Sequence, residues 1–567
     1  MSTTGQKNKQ PPRINPQDSS DDSQTKQGTG GFLGAIEKVG NKLPDPFWLF
    51  VILAGVVAIS SWIGSKIGLE AVNPESGEPV YVESLLNKEG ISRMVSEAIT
   101  NFTSFPPLGV ILAVMLGVAV AEKSGLLSAL VRAMVSKVGP KSLTFVVALA
   151  GVTGSVASDA IYVILIPLGA MAFHALGRSP IVGAMVAFAA SSAGFNASLI
   201  LNITDLLLAG ISTPAAQIVD ENYEVSPLAN IFFVIPSAIV LALIITVVTE
   251  FFIDKKARQL VDHDDLDLSE LSFEKAPATD EDGNVIADAD SAPADTKISA
   301  EGGISKEDLA LDSIESKGLK AAGVTLVAFL AGYFALMLIP ASPLSGPDGD
   351  FMQSPLIQSI AIPITLMFLA VGIVYGMVTK SITSAADVPE FMADGLKSML
   401  PMIVLFFAVA QFIAWFEWSN LGIWTSIKGS ELLQTWNLPP LVMFAAFVIM
   451  VALLNLFITS GSAQWALMAP IVVPMMMYVG TSPEVTQMLF RIGDSPTNII
   501  TPMSPYFALA LTFLQRYYKK AGVGTLMSLA LPYSLTMIAG WFLFFVAWYL
   551  LGLPLGPGVS MEYPAAG

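Results

Sequence analysis

Long apolar runs separated by short polar segments fill almost the whole chain, and each run reads as a membrane-crossing helix. The first spans Pro46 to Gly68 and the second Pro107 to Val120. Others cover Leu228 to Ile253, Leu319 to Pro340, Pro355 to Val378, Met399 to Trp415 and Gly522 to Leu551. Four further segments are apolar but broken in the middle. Ser142 to Leu176 is interrupted by a Gly/Ser/Thr cluster from Gly151 to Asp159, and Pro440 to Tyr478 by Ile458 to Trp465. Each arm of these two is shorter than the roughly 20 residues a crossing needs, so both read as re-entrant hairpins. Pro180 to Gly210 is broken around Ser191–Asn196, and the helix through Phe490 is broken around Arg491–Asn498. Irregular backbone at membrane depth is tolerated only where it lines a protein cavity. The expected fold is an all-α polytopic membrane protein with nine transmembrane helices, two of them broken, and two re-entrant hairpins.

The breaks repeat. Gly154 to Pro167 and Gly461 to Pro474 share one spacing, and Phe188…Asn196 aligns with Phe490…Asn498 without a gap. Both halves run span, span, hairpin, broken helix, span. The additional span from Leu319 inverts the second copy, so its hairpin is expected to enter from the opposite side. Inverted repeats whose discontinuous helices meet near the midplane are the mark of a secondary transporter.

Composition narrows the class. Only 13% of residues are charged and 53% are apolar, against about 25% charged in ordinary globular domains. A soluble enzyme and a nucleic-acid binder are excluded. The net charge of −17 is concentrated: residues 254–320 hold 18 acidic and 8 basic side chains. Such a segment cannot bury a core. The expected organisation is a disordered cytoplasmic N-terminus (1–30, with no cleavable signal peptide), a first membrane repeat (31–253, hairpin 142–176) and an acidic cytoplasmic linker (254–318). A second membrane half (319–551, hairpin 440–479) and a periplasmic tail (552–567) complete it. The positive-inside rule sets this orientation, with Lys123, Arg132, Lys137 and Lys141 inside and the acidic loops outside.

Charge within hydrocarbon is costly and reads as function. Asp159, Asp205, Arg491 and Asp494 all fall at or beside the four breaks. Arg491 and Asp494, three residues apart, could pair along one helix face, and Arg suits bidentate capture of a carboxylate. Asp205 has no oppositely charged neighbour in sequence, which makes it the candidate for a protonatable or amine-facing carboxylate; Asp159 is a second ion-coupling candidate. Ser155, Ser158, Asn196, Asn455, Ser462 and Asn498 add neutral oxygens and amides. Trp465, one turn beyond Ser462, could stack an aromatic ligand. The two histidines, His174 and His263, lie away from the breaks, and cysteine is absent.

The motifs Gly-Ser-Ala-Gln-Trp (461–465), Arg-Ile-Gly-Asp-Ser-Pro-Thr-Asn (491–498), Thr-Pro-Met-Ser-Pro-Tyr (501–506) and Gly-Ser-Val-Ala-Ser-Asp (154–159) resemble those of the AbgT family of bacterial inner-membrane transporters. Ser-Ser-Ala-Gly-Phe-Asn-Ala-Ser (191–198) with Asp205-Leu-Leu-Leu-Ala-Gly resembles them as well, and the likeness covers about residues 31–551. The resemblance implies a homodimeric carrier of p-aminobenzoyl-glutamate that also exports sulfonamides. It implies a substrate site at Asp205, Ser462, Trp465, Pro483, Arg491, Asp494 and Pro502, with a Na⁺ held by positions including Asn455 and Asp494. No other cofactor and no nucleic-acid partner is expected. The long acidic linker departs from the family pattern but lies outside every motif. Two rivals share the features: a Na⁺-coupled carrier of non-aromatic dicarboxylates and, more remotely, an intramembrane aspartyl protease. The latter needs a Gly-x-Gly-Asp turn, and Arg491 stands where its first glycine would be.

Overall fold

The computed structural model describes residues 44, 46–74, 77–135, 139, 142–157, 160–260, 311–339, 342–346, 354–436, 438–502 and 504–564. Ser158, Asp159, most of the acidic linker and the N-terminal segment up to residue 43 lie outside them. Among the described residues, six helices are long and apolar enough to cross a membrane: Pro46–Ile67, Ile231–Gln259, Ser313–Leu338, Ala361–Thr379, Met399–Trp418 and Val523–Leu550. Proline opens several helices (Pro46, Pro180, Pro440, Pro483, Pro505), at the position where its missing N–H costs nothing.

The expected interruptions are present. The first hairpin is Leu143–Thr153, a 3-10 turn Gly154–Ala157, and Ala160–Ala175. The second is Pro440–Asn455 and Gly461–Tyr478, joined by extended and turn residues. One interrupted helix is Pro180–Phe188 with a π-turn Ala189–Ala193, then Ile203–Ala216. The other is Pro483–Asp494, a 3-10 turn Ser495–Ile500, then Pro505–Tyr517.

Three elements differ from the sequence reading. The acidic loop after the first span holds a two-stranded antiparallel ladder, Glu70–Val72 with Pro79–Tyr81, followed by the short helices Lys88–Ser96 and Ala98–Thr103. The helix through Met399 begins at Asp387 and ends at Trp418. A separate helix, Leu421–Trp436, lies between it and the second hairpin; its mixed composition hides it from a search for apolar runs.

The helices sort into two packed groups. Pro46–Ile67, Pro106–Lys123, Ser313–Leu338, Ala361–Thr379 and Asp387–Trp418 contact one another and form an outer scaffold. Both hairpins, both interrupted helices, Ile231–Val248 and Val523–Leu550 form the second group. Helix Ile203–Ala216 packs on Pro106–Lys123, and Leu421–Trp436 packs on Gly461–Tyr478, bridging the groups. Small residues allow the close crossings inside the second group. A Cβ on Gly169 would sit 2.7 Å from the Gly183 carbonyl oxygen, and a Cβ on Gly183 would overlap Gly169.

Two faces can be distinguished by what they carry. On one, here the linker face, Arg178 bonds Glu250 at 2.9 Å and Thr144 at 2.9 Å, so both ends of the first hairpin are tied to the end of the helix from Ile231. On the other, the tail face, Thr481 pairs with Glu562 and the Phe232 amide bonds the Leu555 carbonyl at 2.9 Å. Helix Ile231–Val248 with its π-turn separates the two faces by roughly 35 Å at 1.5 Å per residue. The hairpins are thus rooted on opposite faces, as an inverted repeat requires.

Candidate functional site

The four interruptions converge on one hydrogen-bonded cluster at the centre of the second group. From the first interrupted helix, the Asn196 side-chain amide donates to the Asp494 Oδ2 at 2.7 Å, and its backbone N–H donates to Ser495 Oγ at 3.0 Å. At the first hairpin tip, Ser155 Oγ accepts from Asn202 Nδ2 at 3.2 Å. At the second, Asn455 Nδ2 lies 2.7 Å from the Asp494 carbonyl and 2.8 Å from both Thr497 Oγ1 and Asn498 Oδ1. A Cβ on Gly461 would stand 3.1 Å from Asp494 Oδ2, so glycine lets that tip approach the carboxylate.

Asp205 is held by local sequence. Asn202-Ile-Thr-Asp205 forms a capping box: Asn202 Oδ1 accepts the Asp205 amide at 3.1 Å, and Asp205 Oδ2 accepts the Asn202 amide at 2.8 Å. This leaves Oδ1 free to face the second half, where Arg491 Nη1 donates to it at 2.6 Å. The pairing of Arg491 with Asp494 that their spacing allowed is not the one that forms: Arg491 bonds Asp205, which has no oppositely charged neighbour in sequence. Residues 286 apart in sequence cannot be paired by inspecting neighbours. The side chains of this pair are 1% and 4% exposed, a burial that only close pairing makes tolerable.

Trp465 is fully buried, its ring tilted against Phe490 at 4.7 Å between centroids. Its Nε1 donates to Ser212 Oγ at 3.0 Å. In this state it is a packed member of the wall rather than an open stacking surface. Ser462 lies beside Ser460, with the hydroxyls 3.4 Å apart. Pro483 is buried at the start of its helix, and Pro502 lies in the turn after the 3-10 segment. The structure therefore gathers Asn196, Asp205, Asn455, Arg491, Asp494 and Asn498 into one cluster. Asp159, the second ion-coupling candidate, lies outside the described residues.

The donor set fits a small hard cation. Asp494 Oδ1, Asn455 Oδ1 and Asn196 Oδ1 are buried without hydrogen-bond partners, and carboxylate and amide oxygens are what Na⁺ takes at unwound helices. Among the described residues, no group of three or more His, Cys, Asp or Glu side chains offers a transition-metal site.

Several residues of this region escaped the sequence reading. Glu484 and Gln487 continue the line of Arg491 and Asp494, the four falling at i, i+3, i+7 and i+10 along a helix whose every residue is buried. That polar stripe was readable from spacing alone. Ser212, Asn230 and Tyr223, which face it, carry no such signal.

Opposed hairpins, interrupted helices and a buried charged cluster at their meeting point define a secondary-transporter architecture. The sequence model described as the “AbgT putative transporter family” matches residues 31–290 and 294–563, and the chain belongs to that family. It is 37% identical over 533 residues to the p-aminobenzoyl-glutamate transport protein of Escherichia coli (strain K12), covering 94% of this chain and 97% of that protein. Two solved structures share the fold. The YdaH transporter of Alcanivorax borkumensis, described as having an unusual topology, superposes with a TM-score of 0.78 at 37% identity, over 91% of this chain and all of that one. MtrF of Neisseria gonorrhoeae, described within a class of antimetabolite efflux pumps, gives 0.80 at 39% identity, over 93% of this chain and all of that one.

Proposed function

We propose that this membrane transporter carries p-aminobenzoyl-glutamate and exports sulfonamide antimetabolites, driven by a proton gradient, a sodium gradient or both. The observation that carries the reading is the buried Arg491–Asp205 pair, which joins the interrupted helices of the two halves. A substrate carboxylate or sulfonyl oxygen would replace the Asp205 carboxylate on the Arg491 guanidinium, which suits either group. Asp205, released, would meet the aromatic amine or take the coupling proton. Trp465 would flank the aminobenzoyl ring once the site opens. Asn455 and Asp494, with Asn196 beside them, would hold Na⁺, which would supply positive charge next to an anionic substrate.

The second helix group would move as one body against the scaffold, an elevator or rocking motion, within a homodimer in a bacterial inner membrane. The linker face, with Lys123, Arg132, Arg178, Lys255, Lys256 and Lys380 near it, would be cytoplasmic, and the C-terminal tail periplasmic. No enzymatic activity is proposed.

Labelled p-aminobenzoyl-glutamate or sulfonamide flux in proteoliposomes under imposed H⁺ or Na⁺ gradients tests this. Gradient-dependent flux lost in Asp205→Asn and in Arg491→Ala is expected; wild-type rates in both variants would overturn the site assignment. The packing of Trp465 against Phe490 favours one second reading, a Na⁺-coupled carrier of non-aromatic dicarboxylates. Trp465→Leu would spare transport of a dicarboxylate and weaken that of an aromatic substrate.

A further inference from the structure

The polar stripe on helix Pro483–Asp494 does not stop at the charged pair. Toward the tail face it continues through Gln487 to Glu484, both almost wholly buried. Gln487 is held from two sides: its Oε1 accepts from Ser212 Oγ at 2.7 Å, and its Nε2 donates to Asn230 Oδ1 at 2.9 Å. Ser212 lies two turns beyond Asp205 on the same helix and also accepts the Trp465 indole N–H. Asn230 in turn donates to the Glu484 carbonyl at 3.0 Å. The Tyr223 hydroxyl reaches both Glu484 carboxyl oxygens, at 3.2 and 3.0 Å. These polar contacts tie helix Ile203–Ala216 and Asn230 to helix Pro483–Asp494 on the stretch between Arg491 and Glu484, reaching Glu484 at its backbone carbonyl.

Nothing in the site described above uses Glu484, and a buried carboxyl needs a reason. Among the described residues, the groups acting on it are its own backbone amide, Tyr223 and the Ser482 cap, with no cation. Asp220 and Tyr563 act on Tyr223, and Glu562 sits in the adjoining bridge to Thr481. Burial and the Glu484 carboxylate raise the Tyr223 hydroxyl above its ordinary range, so it stays a hydrogen-bond donor. A carboxyl removed from water with no cation beside it favours its neutral form. Its place in the first turn of a helix favours the anion. These opposed influences leave a group able to hold either state, on a buried helix that also carries the substrate-site arginine.

We propose that Glu484 is a proton-binding site of this carrier, coupled through helix Pro483–Asp494 and the Gln487–Ser212–Asn230 contacts to occupancy of the Arg491–Asp205 site. The proton comes from and returns to solvent on the tail face; Glu484 gains it as the neutral acid and then donates rather than only accepts toward Tyr223. The change at the first turn is carried along the rigid helix to Arg491, and by linkage substrate binding alters proton affinity by the same factor. This rests on the transport reading for the identity of the substrate but not for the proton site itself.

Two measurements on the purified full-length chain decide it. Binding of p-aminobenzoyl-glutamate, followed from about pH 5 to about pH 9 in buffers of differing ionisation enthalpy, should show proton exchange and an affinity change of about fivefold or more in wild type. Glu484→Gln should flatten that dependence, and Tyr223→Phe should move its midpoint. An unchanged proton exchange in Glu484→Gln would overturn the proposal. Infrared pH-difference spectra of the substrate-free protein form the second arm. A titrating carboxyl band present in wild type and missing from Glu484→Gln supports the site even if p-aminobenzoyl-glutamate proves not to bind, an outcome that would sink only the substrate assignment. Identical spectra would overturn the site. If Glu484→Gln does not fold, the Tyr223→Phe spectrum decides, since a carboxyl band that titrates at the wild-type pH refutes the proposal.

Discussion

The Arg491 guanidinium lies 2.6 Å from the Asp205 carboxylate, one contributed by each half of the chain, and both are shut away from solvent. Asp205 is fixed by its own capping box, and Arg491 by a helix buried all round. The pair is therefore rigid as well as charged. The pair is self-neutralising as it stands, and on the proposed reading a substrate anion would have to compete with a carboxylate already in place.

Removing one member of this pair should cost more than removing both. Arg491→Ala leaves a buried carboxylate unpaired and should destabilise the protein by about 3–5 kcal/mol. The double variant Asp205→Asn with Arg491→Gln should recover most of that loss in thermal unfolding of the detergent-solubilised protein, yet remain inactive in vesicles. Restored flux in the double variant would reduce the pair to a structural tie.

The unpartnered oxygens of Asn455, Asn196 and Asp494 lead to a sodium prediction. Added Na⁺ should raise the melting temperature of wild type by mass action, and Asn455→Ala should abolish that increment while K⁺ stays without effect on either protein. An equal Na⁺ shift in the variant would exclude Asn455 as a ligand.

Trp465 fills the wall of the site whether or not it touches a ligand. Trp465→Ala should cost about 3–5 kcal/mol through the cavity it leaves. Trp465→Phe should retain most of the contact with Phe490 but lose the bond to Ser212. Comparing the unfolding midpoints of the two variants separates packing from the hydrogen bond.

The Gly169–Gly183 crossing holds the first hairpin against the first interrupted helix with no room for a side chain. Gly183→Val should force the two backbones apart, a cost of about 1–3 kcal/mol or more. Size-exclusion profiles of the solubilised variant should show loss of a monodisperse peak, whereas Gly55→Val, in open space, should not.

Outside the membrane, the Asp387 carboxylate accepts the amides of Thr383 and Ser384 and both their hydroxyls. These bonds hold its pKa down to about 2, below about 3.9 in the unfolded chain. A depressed value stabilises the fold above the unfolded pKa, and the contribution disappears as pH falls through about 2. Asp387→Asn should therefore unfold at a lower temperature than wild type near neutrality, with the gap closing in acid.

Sequence alone determined the membrane class, the positions of the four interruptions and their repetition, because apolar run length and Gly/Ser/Pro placement are local properties. It also marked Asp205, Arg491 and Asp494 as costly and therefore meaningful. What it did not determine is who meets whom. Asp205 found its cation 286 residues away, Asn196 found Asp494, and Tyr223 found Glu484. The mixed helix Leu421–Trp436 and the small ladder at Glu70–Tyr81 were hidden for a related reason, since tertiary support rather than a strong periodic pattern stabilises them. Only the folded chain decided these matters: the partner of a buried charge is set by which helices cross, and crossing is settled by packing over the whole bundle, not by neighbours along the chain.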